Sequence, residues 1–90
     1  MKNAEYKVPG GKLLAAELDV EKDTLVHVKI SGDFFMHPEP AIIDLEAVLN
    51  GITVGEISET VHRFFKENEV SLFGVSPGDF VTVLELCLSS

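Results

Sequence analysis

The sequence predicts an α+β domain: a small antiparallel sheet of two to three strands, opened by an N-terminal hairpin, with about three helices packed on one face. Apolar residues up to position 36 recur with a period of two, and those after position 40 recur at helical spacing. The two patterns are segregated along the chain and do not alternate, which separates this class from a parallel α/β sheet.

The elements follow in order. Residues 1–9 read as an extended arm, ended by Pro9-Gly10-Gly11. In Lys12–Val20 the side chains of Leu14, Ala16, Leu18 and Val20 share one face, and Leu13, Ala15, Glu17 and Asp19 share the other. Thr24–Ile30 repeats the alternation, with Val26, Val28 and Ile30 on one face and Leu25, His27 and Lys29 opposite. The charged turn Glu21-Lys22-Asp23 between them predicts an antiparallel hairpin with one covered face. Phe34–Met36 is the expected short third strand, after a corner at Gly32-Asp33. Strands therefore occupy 12–36.

The helices occupy 39–88. Pro40 sits in the first turn of the first one, where its missing N–H costs nothing. Its stripe is Ile42, Leu45 and Leu49 with Ala41 and Val48, and Asn50-Gly51 supplies the stop. Thr53-Val54-Gly55-Glu56 has the form of a capping box, in front of a stripe of Ile57, Val61, Phe64 and Phe65. Ser76-Pro77-Gly78-Asp79 starts the last helix, with Ser as cap, Pro at its first position and Asp near the positive end of the dipole. The stripe there is Phe80, Val83, Leu84, Cys87 and Leu88.

Ninety residues with 46% apolar content make a single domain, 1–90. The net charge of −8, from 15 acidic and 7 basic residues, excludes nucleic acid and anionic membrane as partners, since both are held by clustered Lys and Arg. Arg63 is the single arginine. A basic protein surface, in contrast, is attracted. Cys87 is alone, so no internal disulfide forms. The start MKNAEYKVPGGK has no hydrophobic signal core, and a cytoplasmic location is expected.

Candidate chemistry is sparse. Gly10-Gly11-Lys12 echoes part of a phosphate loop, but a Walker A loop reads G-x-x-x-x-G-K-S/T, follows a strand and opens a helix. Here Leu13 stands at the hydroxyl position and a strand follows, which excludes an autonomous nucleotide site. His27, His37 and His62 fall in separate elements without metal-ligand spacing, so no metal is expected. His37, beside Pro38, reads as a turn residue with a local hydrogen bond. Cys87 lies on an apolar stripe and reads as packing. No catalytic residue is assigned. Asp33, after Gly32 at a strand end, is expected to accept bonds from backbone N–H groups downstream and fix the corner. Phe34 and Phe35 point to opposite sides of an extended chain, so one enters the core and the other projects toward a partner.

Gly10-Gly11-Lys12 before the first strand, Gly32-Asp33-Phe34-Phe35 after the second, Pro38 near the helix start, Leu45-Glu46 within the helix and Gly51 at its end together resemble the C-terminal accessory domain of lipoate–protein ligases. The resemblance covers residues 7–51 by motif and the remaining helices by pattern. In that family a large domain makes lipoyl-adenylate from lipoate and ATP, then passes the lipoyl group to a lysine of an acceptor protein. The resemblance implies that this chain is the separate small subunit of a two-chain ligase. It is then non-catalytic alone and pairs with a large catalytic subunit that carries ATP, Mg2+ and lipoate. Lys12 is the residue implied to reach toward phosphates or an acidic partner group, and Gly10, Gly11, Gly32, Asp33, Phe34 and Phe35 complete the implied interface motif. The rival readings are a free-standing cytoplasmic adaptor of similar fold and a small enzyme. An iron–sulfur scaffold is excluded by the single cysteine.

Overall fold

The N-terminal arm is a strand. The computed structural model describes residues 1–90. In it β1 (Lys2–Lys7) pairs antiparallel with β2 (Leu13–Glu21), from Lys2↔Leu18 to Lys7↔Leu13. β2 pairs in turn with β3 (Thr24–Gly32), giving a three-stranded sheet of order β1-β2-β3. The third strand is thus the arm and not Phe34–Met36. The reason lies in its own alternation: Ala4, Tyr6 and Val8 pack against the core, while Asn3, Glu5 and Lys7 face solvent.

The β2–β3 hairpin closes through Lys22 (φ 50°) and Asp23 (φ 70°), the left-handed pair that a two-residue turn requires. The expected faces hold on β2, where Leu14, Ala16 and Leu18 are buried. They fail at the start of β3. The register passes from Glu17↔Lys29 to Asp19↔Val26, so Leu18 alone opposes His27 and Val28. His27, at φ 54°, absorbs this β-bulge. The extra residue reverses the alternation, so Leu25 is fully buried and Val26 only half-buried, contrary to strict period two. His27 faces solvent on either count.

Helix α1 (Ala41–Leu49) follows Pro40 and buries Ala41, Leu45 and Leu49. Val48, expected on its apolar stripe, is instead exposed, and Ile42 is half-buried. One side of α1 seals the edge of β3. The Glu46 carboxylate accepts the Ile30 N–H at 2.7 Å and the Asn50 side-chain oxygen accepts the Val28 N–H at 3.1 Å. The next segment continues the seal, with Leu25 N–H donating to the Ile52 carbonyl (2.8 Å) and Gly51 N–H to the Leu25 carbonyl (2.7 Å).

The capping box forms as its sequence predicts. Glu56 accepts from the Thr53 N–H (2.8 Å) and hydroxyl (3.0 Å) in a 3-10 turn, Val54–Glu56, that leads into α2 (Ile57–Glu67). Ser76 and Asp79 make the same arrangement at α3 (Pro77–Leu88), at 2.8 and 3.0 Å. The buried residues Ile57, Val61 and Phe64 of α2 and Phe80, Val83, Leu84 and Cys87 of α3 join the sheet's covered face in one core.

Two short strands complete the chain, β4 (Phe35–His37) and β5 (Ser71–Phe73). They pair only with each other, as Phe35↔Phe73, Met36↔Leu72 and His37↔Ser71. Residues 39–88 are therefore not helical throughout. Three residues are too few for a periodic signal, which is why β5 escapes the pattern. Met36 is buried and ties this ribbon to the core. His37 is exposed and makes no side-chain hydrogen bond, in place of the turn-fixing bond expected of it.

Candidate functional site

The two glycine motifs, about 20 residues apart in sequence, meet at one end of the β2–β3 pair, where Leu14 lies opposite Gly32. Asp33 locks the junction: its Oδ1 accepts the Leu13 N–H at 2.7 Å, and its own N–H donates to the Leu13 carbonyl at 3.2 Å. The partner expected from sequence lay downstream in the same turn. The actual partner lies upstream, on the neighbouring strand, because the hairpin brings residue 13 to residue 33. A side chain at Gly32 (φ 150°) would put its Cβ 2.2 Å from the Leu13 carbonyl oxygen, so the close approach needs glycine.

A third segment joins them, and sequence reasoning missed it. The Gly74 carbonyl accepts the Lys12 N–H at 2.9 Å. Gly74 (φ 88°) has no room for a Cβ, which would fall 2.2 Å from the Lys12 Cγ. A Cβ on Gly11 would in turn strike the Gly74 oxygen at 2.3 Å. The lysine stem therefore lies flush on the end of β5. Nothing in the local sequence distinguishes Gly74 from an ordinary turn glycine; only its tertiary neighbour does. Gly10 stands exposed at the tip of the loop, which the Lys7 ammonium closes through the Val8 (3.1 Å) and Gly11 (2.5 Å) carbonyls. Lys12 is exposed, and its ammonium has no partner within the chain.

The two phenylalanines divide as an extended chain requires. Phe34 turns inward and meets Phe80 edge to face, with centroids 5.4 Å apart. Phe80 stacks on Phe65 at 5.5 Å, and Phe65 meets Phe64 edge-on at 5.2 Å. This file of rings runs from the glycine corner to α2. Phe35 turns outward and is 66% exposed; its cross-strand partner Phe73 is 60% exposed. Beside Phe35 lies a shallow hollow of about 260 Å³, floored by Ile30, Met36 and Ile42 and bordered by Glu39. A larger cleft, about 460 Å³, opens between α1 and α2 over Val48, Ile52 and Phe64, and none of the glycine-motif residues, Lys12, Asp33, Phe34 or Phe35 lines it.

Two titratable groups depart from their ordinary values. The bonds from the Thr53 backbone and hydroxyl hold Glu56 below the usual carboxylate range. Burial, with a smaller contribution from Glu17, pushes the Cys87 thiol up. Its Sγ donates to the Ala16 carbonyl at 3.4 Å. A protonated, enclosed thiol is a packing group.

No family model matches the chain. Over 86 residues, 96% of this chain and 89% of the relative, it is 33% identical to the lipoate-protein ligase A subunit 2 of Thermoplasma acidophilum. The chain belongs to the lipoate–protein ligase A subunit 2 family. Its role is that of an accessory ligase subunit rather than of a free-standing adaptor. Among solved structures it is similar to a chain from an archaeal lipoylation system, a bi-partite lipoate protein ligase and its E2 lipoyl domain from Thermoplasma acidophilum. There the TM-score is 0.79 and the identity 35%, over 92% of this chain and 90% of that one. Membership of the ligase subunit family thus spans all the elements described, including the helices that the motifs did not reach. No helix is long and apolar enough to cross a membrane.

Proposed function

We propose that this accessory subunit forms a heterodimer with a large catalytic ligase subunit in the cytoplasm. The pair activates lipoate to lipoyl-AMP with ATP before the lipoyl group passes to an acceptor-protein lysine. The observation that carries this reading is the similarity, along nearly the whole chain and at about one-third identity, to subunit 2 of a lipoate-protein ligase and to a chain of a bi-partite lipoate ligase system. ATP, Mg2+ and lipoate bind on the catalytic subunit. The small subunit holds the adenylate-forming geometry by contact and limits the entry of water, which hydrolyses the mixed anhydride.

Lys12 is the group of this chain best placed to add charge to the reaction. Its stem is fixed against Gly74 while its ammonium stays free. That leaves it available to a phosphate or an acidic partner group as a point charge.

The test is reconstitution. Each subunit alone, and the two mixed, are given lipoate and ATP–Mg, and pyrophosphate release is followed. Release by the mixture, with little from either alone, is the expected result. Turnover by the isolated chain, or a mixture no faster than the large subunit alone, refutes the reading. Lys12→Ala in the mixture decides the lysine's part: an unchanged adenylation rate removes it.

A further inference from the structure

We infer that the cross-strand pair Phe35 and Phe73, with the hollow beside Phe35, is the docking face for the catalytic subunit. The occupant is an apolar projection of that subunit rimmed by basic side chains. This inference rests on the heterodimer proposed above and places its contact on the β4–β5 ribbon.

Three observations point there. Among the six large apolar side chains that the fold leaves exposed, only Phe35 and Phe73 are directly paired across two strands, so both rings stand on one face. The pair leaves on the order of 250 Å² of aromatic surface facing water. A stable interface covers roughly 800 Å² per partner around a few anchors of this kind, so the pair has the size of an interface centre and not of a whole one. The ribbon is also rigidly placed. Its inward residues Phe34 and Met36 are packed into the core, and its ends are tied down by Asp33 and Gly74. Anchors held this way lose little freedom on binding.

Charge identifies the chemistry of the occupant. The chain carries −8, and Glu39 borders the hollow. A basic rim on the partner meets this acid and speeds encounter, while an apolar side chain fills the space over Ile30, Met36 and Ile42. Lys12, fixed on the residue next to Phe73, is the free cation of the same corner and stands ready for an acidic group at the edge of the contact.

The experiment measures the dissociation constant of the small subunit for the catalytic subunit of its own source by calorimetry, on wild-type protein and on Phe35→Ala, Phe73→Ala, the double variant and Leu86→Ala. Each aromatic substitution is expected to weaken binding about tenfold and the pair about a hundredfold or more, with Leu86→Ala unchanged. Glu39→Lys is expected to slow association, by a factor that shrinks at high salt. Hydrogen exchange on the wild-type complex supplies a readout that needs no variant to fold, with new protection expected in residues 34–37 and 71–75. A folded double variant that binds like wild type, or protection confined to other elements, overturns the docking face. So does a free chain that sediments as a dimer and becomes monomeric on the same substitutions, because the pair then serves a second copy. Wild-type protein that neither binds nor stimulates the catalytic subunit overturns the heterodimer itself, and that failure is visible before any substitution is made.

Discussion

The edge of β3 and the β4–β5 ribbon are both short stretches of strand at the border of this small domain, and the fold treats them in opposite ways. The β3 edge is closed from within. Glu46 and Asn50 reach from α1 to the Ile30 and Val28 N–H groups, and residues 51–54 add backbone bonds to Asp23 and Leu25. No row of unpaired donors is left for another chain to use. The ribbon has two strands of three residues, an inward face packed on the core and an outward face of two bare phenylalanines. Exposing aromatic surface on such a small chain costs solubility and gains nothing for folding. The contrast separates residues that hold the domain together from residues that the domain holds out to something else.

The largest expected effect lies on the structural side. Phe80 is fully buried and touches both Phe34 and Phe65, so Phe80→Ala should remove about 3–5 kcal/mol of stability by urea denaturation. Phe35→Ala should change the same measurement by less than about 0.5 kcal/mol, since its ring already faces water. Comparable losses from the two would erase the distinction. Glu46→Ala comes next. It strands the Ile30 N–H at a part-buried edge and should cost about 1–3 kcal/mol, while Glu46→Gln, which keeps an acceptor, should cost less.

Asp33 sits where the two regions join. Asp33→Ala should lower stability by about 1 kcal/mol through the lost Leu13 bond, and Asp33→Asn should retain most of it, because acceptance and not charge is what the junction uses. If Asn behaves like Ala, the carboxylate has a further role at the corner. The smallest effect is a pH dependence. The folded state holds Glu56 below its unfolded value, so the capping box contributes above the ordinary carboxylate range and its contribution fades as pH falls through the folded value. Glu56→Gln should flatten the acid side of the melting-temperature profile, with the variant falling slightly below wild type near neutrality and the two converging as pH drops below the ordinary carboxylate range.

The α+β class, both capping boxes and most of the core follow from local pattern, because period, caps and breakers act within a few residues. The departures share a cause. Leu25 turned inward because a bulge at His27 added a residue against Leu18, and a bulge is a property of two strands together. Val48 stayed exposed because helical spacing defines a stripe but not how wide a neighbour covers it. β1 took the place expected for Phe34–Met36 as the third strand, and β5 was invisible at three residues. At the candidate site the glycine motifs and the opposed phenylalanines were legible, while Gly74 and Phe73 were not, since each matters only through a partner about 40–60 residues away.

By itself, then, the sequence determined the β2–β3 hairpin, the three helices with their caps, and which residues carry the family motif, because these depend on near neighbours. The tertiary structure decided that Lys12 rests on Gly74, that Asp33 holds Leu13, and that Phe35 has a second ring beside it. The physical reason is that register and close approach are set by how distant strands meet, and no short window of residues contains that information.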